Sequence, residues 1–463
     1  MKLAELYAPL SKKMAVDYKV INIAFSNEEY EIFQRYSDSN IELIHFQNKK
    51  EELSHDGRNY DKEYLSDIER FIVKESKGRF NINSSINADR GSKALSREQA
   101  IDNLVDIYNF WKYIFEKYRV KYFYHETTSL MINHFACLFC RKNNAIYSDM
   151  ISLPSANERS LFFVNYDDGS SIEIENKLDN RDFDKEVVDD FFLYINQRYS
   201  RPKGVSLKKD SIFKLILKSI RQEIYILKNT ADNSIDKYLN NQRTFLNKIK
   251  NRIAYKRIKW DSMPSEEESY HYYSMHLEPE AVLLYWADNK YSGQVKLIEN
   301  IASSLPNGEI LYVKDHVLDF GYRDFNDYLQ IQNISNVRLV YPLKSAVTLV
   351  KGCDSVFTVN GTVGIEALSL GKPVYTFGNV FYNSFPNVYH IKSVNDISDT
   401  ITNSKEFSKE SLYRYMSAYL TSLYKGNGAY FSGDNSKFSS EEEYNENIEE
   451  IFKSIKAYQK RLG

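Results

Sequence analysis

Short apolar runs alternate with amphipathic segments through most of the chain. In the N-terminal third, β-branched and aromatic runs predict strands at Tyr18 to Ala24, Ile41 to Phe46 and Val120 to Tyr124. Apolar residues at helical spacing predict a long helix from Arg97 to Lys117. The stretch from Lys77 to Ser96, rich in Asn, Ser and Gly, predicts an exposed loop and a candidate lid. This alternation of strands and helices indicates an α/β unit.

The same alternation restarts after Ser262 to Ser269, a polar segment that we interpret as a linker. Helices are predicted between the strands of this second part, which we place at Tyr270 to Met275, Glu309 to Lys314, Val337 to Tyr341, Ser355 to Val359 and Val374 to Phe377. We therefore expect two Rossmann-like α/β domains, 1–200 and 269–430, joined by a helical, basic segment at 201–268. A last helix, within 431–463, is expected to pack back on the first domain.

Between Arg201 and Trp260, Lys and Arg far outnumber Asp and Glu, while apolar residues keep helical spacing. Two interpretations stay open for this segment. Its basic face attracts an anionic membrane surface or a phosphate-rich acceptor, or it is an ordinary solvated helical face. Neither the formal net charge of −2 nor the residues of this segment suit a nucleic-acid binder.

Composition adds limits on location and on metal chemistry. The 463 residues contain no run of 18 uncharged apolar residues and do not begin with the apolar core of a signal peptide. We therefore expect a cytoplasmic protein, peripheral at the inner face of the membrane if the basic segment binds lipid. Cys137 and Cys140 have C-x-x-C spacing but lie in an apolar run, which favours buried packing over metal binding.

The stretch from Asp354 to Gly378 predicts a strand, a sharp turn, a helix and a further strand. In the turn, Asn360, Gly361 and Thr362 precede a helix whose free N–H groups can bind an anion such as phosphate. Glu366 lies one helical turn deeper and could accept hydrogen bonds from a sugar or ribose hydroxyl. An equally weighted alternative is that Asn360 or Thr362 only caps the helix and that Glu366 is an ordinary surface carboxylate.

Polar residues also follow the neighbouring strands. In open α/β sheets, ligands bind beyond the carboxyl ends of the strands. In the second domain, these ends carry His276, Glu278 and Glu280 after one strand, and Lys314 and His316 after the next. In the first domain they carry His125 and Glu126, with Arg159 expected near the same edge. The alternative for Glu126 is that it complements the dipole of the following helix, which Thr127 or Thr128 would cap.

These residues together suit a nucleotide-sugar ligand. Lys314, His316 and the N–H groups after Asn360 could stabilise a departing phosphate, and a base from the other domain could activate an acceptor hydroxyl. Glu126 is the first choice for this base and His125 the second, with Arg159 at the acceptor. Without a D-x-D pair at a strand end we expect no metal, and no further cofactor. The absence of G-x-x-x-x-G-K-[ST] and G-x-G-x-x-G weighs against an NTPase and a dehydrogenase.

The region from Tyr270 to Asn383 resembles the bacterial capsular polysaccharide biosynthesis proteins, a family that includes the β-Kdo transferases of capsule assembly. The resemblance lies in His276-Leu-Glu278-Pro-Glu280, Leu305-Pro-Asn-Gly308, Leu311-Tyr-Val-Lys314-Asp-His316, Asn336-Val-Arg-Leu-Val340, Asn360-Gly-Thr-Val-Gly364-Ile-Glu366-Ala367, Gly371-Lys-Pro-Val374, Gly378 and Tyr382. It implies a glycosyltransferase of the GT-B type that holds its donor in the second domain, with His316 and the Asn-Gly-Thr turn at the donor phosphate. Two departures from the family pattern are Val317, in place of a proline, and Gly361, where serine is common.

The resemblance implies transfer of a sugar from a nucleotide donor, CMP-Kdo in some members, to a surface polysaccharide or its lipid-linked acceptor. Two other functions stay open. A sugar-nucleotide epimerase of the same architecture would act without an acceptor. A non-catalytic partner in capsule assembly or export would use the basic segment for docking.

Overall fold

The computed structural model describes residues 2–53, 61–157, 159–179, 182–200, 245–280, 282–403, 407–427, 438 and 440–463. Within these residues the strands are β1 Val20–Ala24, β2 Ile41–His45, β3 Tyr122–His125, β4 Ile146–Ser152, β5 Arg159–Asn165, β6 His271–Ser274, β7 Leu311–Lys314, β8 Val337–Val340, β9 Ser355–Thr358, β10 Val374–Thr376, β11 Val388–His390 and β12 Tyr424–Lys425. The α-helices are α1 Lys2–Met14, α2 Asn27–Gln34, α3 Phe46–Leu53, α4 Lys62–Glu75, α5 Ile82–Ala88, α6 Arg97–Lys117, α7 Met131–Lys142, α8 Ile172–Leu178, α9 Lys185–Ser200, α10 Phe245–Ala254, α11 Val295–Ser304, α12 Phe325–Gln332, α13 Ala346–Gly352, α14 Val363–Ser369, α15 Ile397–Thr402, α16 Lys409–Thr421 and α17 Glu441–Leu462.

Contacts divide the chain into two units, each of the α/β class. The first comprises Met1–Ile86, Arg97–Val188 and Tyr413–Gly463, and the second comprises Asn87–Ser96 and Asp189–Leu412. The predicted α/β class with two Rossmann-like units is confirmed. The domain boundaries at 200, 268 and 430 stay predictions.

The second unit is built on a six-stranded sheet of parallel strands in the order β11-β10-β9-β6-β7-β8. Counted within the unit, this is the doubly wound order 3-2-1-4-5-6, in which the chain direction across the sheet reverses between β6 and β9. The apolar side chains of the strands are buried because helices cover the sheet, which explains their nearly continuous β-branched and aromatic sequence. All five strands predicted here are present, and β11 is an additional edge strand.

The first unit has a different sheet. Strands β1 and β2 pair in parallel, and a second sheet runs in the order β12-β5-β4-β3. Only β3 and β4 are parallel in that sheet, since β5 and β12 are antiparallel to their neighbours. The apolar run Ala145-Ile-Tyr147 predicts a shorter strand than the observed β4, and β5 was not predicted.

The C-terminal helix α17 closes the core of the first unit. The ring of Tyr458 stacks on Phe163 with centroids 4.1 Å apart, and its hydroxyl accepts a hydrogen bond of 2.8 Å from Asn165 Nδ2. The same helix contacts α1 through the ion pair Lys13–Glu449 at 2.7 Å. Helix α1 was not predicted.

The structure bears on the predicted loop at 77–96 and on the basic segment at 201–268. The stretch 77–96 is not an exposed loop, because it contains α5 and buries Phe80, Ala88 and Asp89. Of the basic segment, residues 201–244 lie outside the described residues, while α10 confirms helical structure from Phe245 onward. None of the helices in the described ranges has the length and apolar content to cross a membrane.

A buried ion cluster lies in the first unit, just after the end of β5. Asp167 is fully buried and contacts Arg79, at 2.6 Å, Arg141 and the Nε2 of His134, at 3.0 Å. Burial alone would raise the pKa of Asp167, but the two guanidinium groups hold it well below its usual value. Cys137 and Cys140, on the adjacent helix α7, are fully buried, which confirms their packing role and raises the pKa of both thiols.

We predict that Asp167→Asn lowers the free energy of unfolding by about 3–5 kcal/mol, because it removes the fully buried carboxylate that pairs with two partly buried guanidinium groups. Asp168→Asn is the matched control. Asp168 is partly exposed and pairs only with Arg141 among the described residues, so its removal should cost under about 1 kcal/mol. Urea unfolding at neutral pH measures both values.

The lowered pKa of Asp167 also predicts a pH dependence. The stabilisation is present above the unfolded-state pKa and is lost as the pH falls towards the folded-state value. The wild type should therefore lose stability below about pH 4 more steeply than Asp167→Asn. Equal slopes in the two proteins would contradict the assignment.

Candidate functional site

The candidate site of the second unit lies where β6 and β9 end side by side. His276 follows β6, and Thr358 is the last residue of β9. His276 Nε2 lies 3.2 Å from Thr358 Oγ1, while its Nδ1 lies 3.1 Å from Glu280 Oε2. Thr358 Oγ1 in turn accepts a 3.0 Å hydrogen bond from the backbone N–H of Gly361. One chain of hydrogen bonds thus connects the two strand ends at the point where the sheet order reverses.

The order Glu280–His276–Thr358 has the form of a hydrolase triad, but it is not a nucleophilic site. Thr358 is completely buried, so its hydroxyl cannot reach a substrate. The hydroxyl is hydrogen-bonded to His276 Nε2 and accepts from the Gly361 N–H, so both of these contacts lie inside the protein. The chain of bonds therefore fixes the shape of the turn after β9.

The backbone of His276 is held from the other side. Gln294 accepts a 2.8 Å bond from the His276 N–H and donates a 3.0 Å bond to its carbonyl. Arg323, which is 4% exposed, donates to the same carbonyl at 2.9 Å. Arg323 is neutralised by Asp315 and Asp319, each at 2.8 Å. Both polar groups of the His276 backbone are thus satisfied internally, while Glu280 and Thr358 hold its ring.

Lys314 and His316, at the end of β7, belong to the same edge of the sheet. Burial lowers the pKa of Lys314, and it also lowers the pKa of His316, which the carboxylates of Glu280 and Asp315 oppose. The Nδ1 of His316 accepts a 3.2 Å hydrogen bond from the Leu318 N–H, so the proton of the neutral ring lies on Nε2. The site therefore combines a buried amine with an imidazole N–H donor.

The turn after β9 differs in detail from the sequence prediction. Thr362 is exposed and makes no capping bond, and the Asn360 side chain donates to the Val282 carbonyl at 3.0 Å instead. The capping alternative for these two residues is therefore wrong. The following helix α14 has only seven residues, so it contributes a weak dipole to any anion site.

Two glycines let this turn pack closely. A Cβ on Gly361 would lie 2.8 Å from Thr358 Oγ1, and one on Gly364 would lie 2.5 Å from the hydroxyl of Tyr382. The buried Tyr382 hydroxyl donates to the Gly361 carbonyl. A side chain at position 361 would therefore displace Thr358.

Two of the predicted donor-binding carboxylates are occupied inside the protein. Glu366 is buried and forms an ion pair of 2.8 Å with Arg198 on α9. It is therefore not the ordinary surface carboxylate of the alternative interpretation. Glu278 accepts a 2.5 Å bond from the side chain of Gln294 and lies 3.6 Å from Arg323. Glu280 is more exposed and remains at the candidate site.

The first unit brings its candidate residues His125 and Glu126 to the end of β3, beside the middle of β4. His125 pairs in register with Asp149 across the two strands. The Nδ1 of His125 lies 3.0 Å from the amide nitrogen of Asn133, and burial lowers the pKa of the imidazole. Glu126 Oε1 accepts a 2.9 Å bond from Ser129 Oγ. Helix α7 begins with Leu130 at its N-cap, so neither Thr127 nor Thr128 caps it, contrary to the alternative interpretation.

Asp149 is a candidate that the sequence analysis missed. It is 5% exposed, and Thr127 donates a hydrogen bond to its Oδ2. Burial, assisted by the charge of Glu126, raises the pKa of Asp149 to about 7. A carboxyl group that titrates near neutral pH can accept or release a proton, which makes it a second candidate base beside Glu126. Its position in mid-strand gave no sequence signal.

Arg159 begins β5, and its backbone pairs with Lys425 of β12. Because β5 is antiparallel to β4, its first residue lies at the edge where β4 ends. Arg159 thus lies at the predicted edge of the sheet. In the described ranges, no three His, Cys, Asp or Glu side chains group closely enough to hold a metal ion. Metal independence stays a prediction.

We predict that Gly364→Ala lowers the free energy of unfolding by about 1–3 kcal/mol, because the new methyl group would overlap the buried ring of Tyr382. Thr362→Ala, two residues away, is the control and should change it by less than about 0.5 kcal/mol, since Thr362 is exposed and caps nothing. Equal effects in urea unfolding would contradict the packing that we describe.

We predict that the wild type loses about 3 kcal/mol of unfolding free energy between pH 5 and pH 8 through Asp149. A raised folded-state pKa gives stability that is present at low pH and lost as the pH rises through about 7. Asp149→Asn keeps an oxygen acceptor for Thr127 but cannot ionise, so it should lack this loss.

Urea unfolding of both proteins at the two pH values measures the Asp149 effect. Glu126→Gln should reduce the loss by lowering the pKa of Asp149, because it removes a neighbouring negative charge. Parallel pH profiles in wild type and Asp149→Asn would contradict the assignment.

Residues 285–388 match a protein family described as capsule polysaccharide biosynthesis protein. No curated protein sequence matches the chain. Among solved structures, it is similar to the KpsC beta Kdo 2,4 transferase of Thermosulfurimonas dismutans, with 14% identity, a TM-score of 0.31 and coverage of 64% of this chain and 78% of that one. It is also similar to the KpsC beta Kdo 2,7 transferase of that organism, with 12% identity, a TM-score of 0.31 and coverage of 66% of this chain and 78% of that one. A third similar structure is the UDP-GlcNAc 2-epimerase of Neisseria meningitidis, with 11% identity, a TM-score of 0.24 and coverage of 91% of this chain and 97% of that one.

The matched segment lies inside the second unit and contains Lys314, His316 and the whole turn from Thr358 to Tyr382. The resemblance inferred from the motifs is thereby confirmed for residues 285–388, which match the model of the capsule polysaccharide biosynthesis family.

Proposed function

We propose that the protein is a GT-B glycosyltransferase that transfers a sugar from a nucleotide-sugar donor to a bacterial capsular or surface polysaccharide, or to its lipid-linked acceptor. The observation that favours this function most is the position of Lys314, His316 and the Thr358–Tyr382 turn, which all lie in the capsule-family segment and at one edge of the sheet. A CMP-linked donor such as CMP-Kdo is the donor that the family resemblance suggests.

The second unit would bind the donor. Departure of the nucleotide places negative charge on a phosphate oxygen, which needs hydrogen-bond donors and positive charge close by. The Nε2–H of His316 and the ammonium group of Lys314 are suited to this task. A bound phosphate would also favour the protonated form of each, against the burial that lowers their pKa in the free protein. His276, Glu280, Asn360, Gly361 and Thr362 would shape the rest of the donor site, with Gly364 and Tyr382 supporting the turn.

The first unit would supply the base. Glu126 lies at the end of β3, as the sequence analysis proposed, and Asp149 next to it has the pKa of about 7 that suits proton transfer at neutral pH. We keep Glu126 as the proposed base, with His125 second, and Arg159 as the proposed acceptor contact. In this proposal the cations of the site serve the phosphate without a metal ion.

We predict that His316→Ala weakens binding of the matching nucleotide about 10- to 100-fold, the effect of losing one hydrogen bond to a charged group. Leu318→Ala is the control, since Leu318 lies in the same loop and its side chain is 62% exposed. Calorimetric titration with CMP, UDP and GDP gives the affinities and identifies the nucleotide. Unchanged affinity in His316→Ala would remove this residue from the site.

The affinity should also rise as the pH falls below about 6.5, because a protonated imidazole binds an anion more tightly than a neutral one. This rise should be smaller in His316→Ala. Binding curves of both proteins at pH 5.5 and 7.5 measure this difference. Ionisation of the nucleotide affects both proteins equally, so the difference between them reports on His316.

Nucleotide release separates the proposed function from its alternatives. A transferase should release nucleotide from its donor rapidly only when acceptor is present, and Glu126→Gln should depress this release while donor affinity stays unchanged. An epimerase would interconvert donors without releasing nucleotide. A non-catalytic capsule partner would do neither.

A further inference from the structure

Helix α10 and the residues after it form a firmly anchored part of the second unit. Tyr255 is 3% exposed and packs against the rings of Phe320 and Tyr328. Its hydroxyl donates to the Arg323 carbonyl, and Asn251 donates to the Gly321 carbonyl at 3.1 Å. Any charge on the outer face of this segment therefore has a fixed position and does not belong to a loose tail.

The outer face of this segment is basic. We define the basic face as its five exposed cations, which are Lys250, Arg252, Lys256, Arg257 and Lys259. In the part of the chain that the structure describes, none of these five forms an ion pair with a carboxylate. Two of them lie over aromatic rings: the guanidinium of Arg252 is 5.2 Å from the ring centroid of Phe320, and that of Arg257 is 5.3 Å from the ring centroid of Phe325.

Apolar side chains accompany these cations. Ile253, which lies in the chain between Arg252 and Lys256 of the basic face, is 61% exposed. Leu318 is 62% exposed and stands two residues before Phe320, whose ring Arg252 covers. A solvated helical face would carry mixed charges and no large exposed apolar residue at its centre. Cations with apolar side chains between them are instead typical of surfaces that lie on membranes.

We propose that the basic face, together with Ile253 and Leu318, docks on a membrane that contains anionic lipids. The cations match the negative charge of lipid headgroups, and the two aliphatic side chains can enter the region between headgroups and acyl chains. A soluble polyanion would satisfy the cations but would leave the aliphatic side chains in water. This surface does not depend on the proposed transferase activity.

The loop 315–323 connects this surface to the candidate donor site. It begins next to His316 and ends at Arg323, whose carbonyl accepts from Tyr255. Docking at the basic face would therefore hold the donor site close to the lipid surface. An acceptor attached to lipid would then be available at high local concentration.

The test uses the full chain and sedimentation with two kinds of vesicle, one of pure phosphatidylcholine and one with an equal part of phosphatidylglycerol. We expect binding to the anionic vesicles, weakened by salt. The triple variant Lys256→Gln, Arg257→Gln, Lys259→Gln should lose it at least about tenfold. The control, Lys12→Gln, Lys62→Gln, Lys74→Gln, neutralises three exposed lysines of the first unit and should bind as the wild type does.

Two further measurements decide the nature of the partner. Ile253→Ser should weaken vesicle binding at high salt, where charge attraction is screened, and should leave binding of dextran sulfate unchanged. The proposal is overturned if the wild type does not bind anionic vesicles, or if the basic-face variant and the control lose binding equally. It is also overturned if Ile253→Ser has no effect on vesicles while dextran sulfate binds as tightly as they do, which would identify a polyanion site. None of these results depends on transferase activity, so they leave the nucleotide-binding test separate.

Discussion

The hydrogen bond between His276 and Thr358 is the interaction on which the second unit's candidate site depends. It joins two residues that are 82 positions apart in the chain but adjacent in the sheet, because β6 and β9 lie next to each other where the strand order reverses. At such a point the helices after the two strands leave on opposite faces, which opens a crevice beyond the strand ends. The bond fixes the turn after β9 and gives that crevice a constant shape.

The buried polar groups below the site all have hydrogen-bond or ion-pair partners, which offsets the free energy of removing them from water. Gln294 and Arg323 take up the backbone groups of His276, and two aspartates neutralise Arg323. A buried cation without such partners would be strongly unfavourable. The same logic appears in the first unit, where Asp167 is surrounded by two guanidinium groups. Each unit thus contains a buried ionic network, but only the network of the second unit lies below its candidate site, because Asp167 follows β5 and lies at the end of the sheet where β4 begins. In the second unit this rigidity is what a preorganised binding site requires.

The edge of the first unit has a different character. There two carboxyl groups, of Glu126 and Asp149, lie near a buried imidazole, and burial together with their mutual repulsion raises the pKa of Asp149. A carboxyl group with a pKa near neutrality can receive and return a proton at neutral pH. The second unit instead offers N–H donors and an amine, which suit an anion.

The sequence by itself determined the α/β class, the strands of the second unit and the residues at their carboxyl ends, because strand burial, turn residues and helix periodicity are local patterns. It also determined the family resemblance, through motifs that lie at those strand ends. Only the tertiary structure decided which strand ends are neighbours, that Thr358 links them, that Glu366 pairs with Arg198 and that Asp149 lies opposite His125. The physical reason is that strand order and side-chain pairing come from packing between segments distant in the chain, and a local pattern shows which face of a segment is buried but not what covers it.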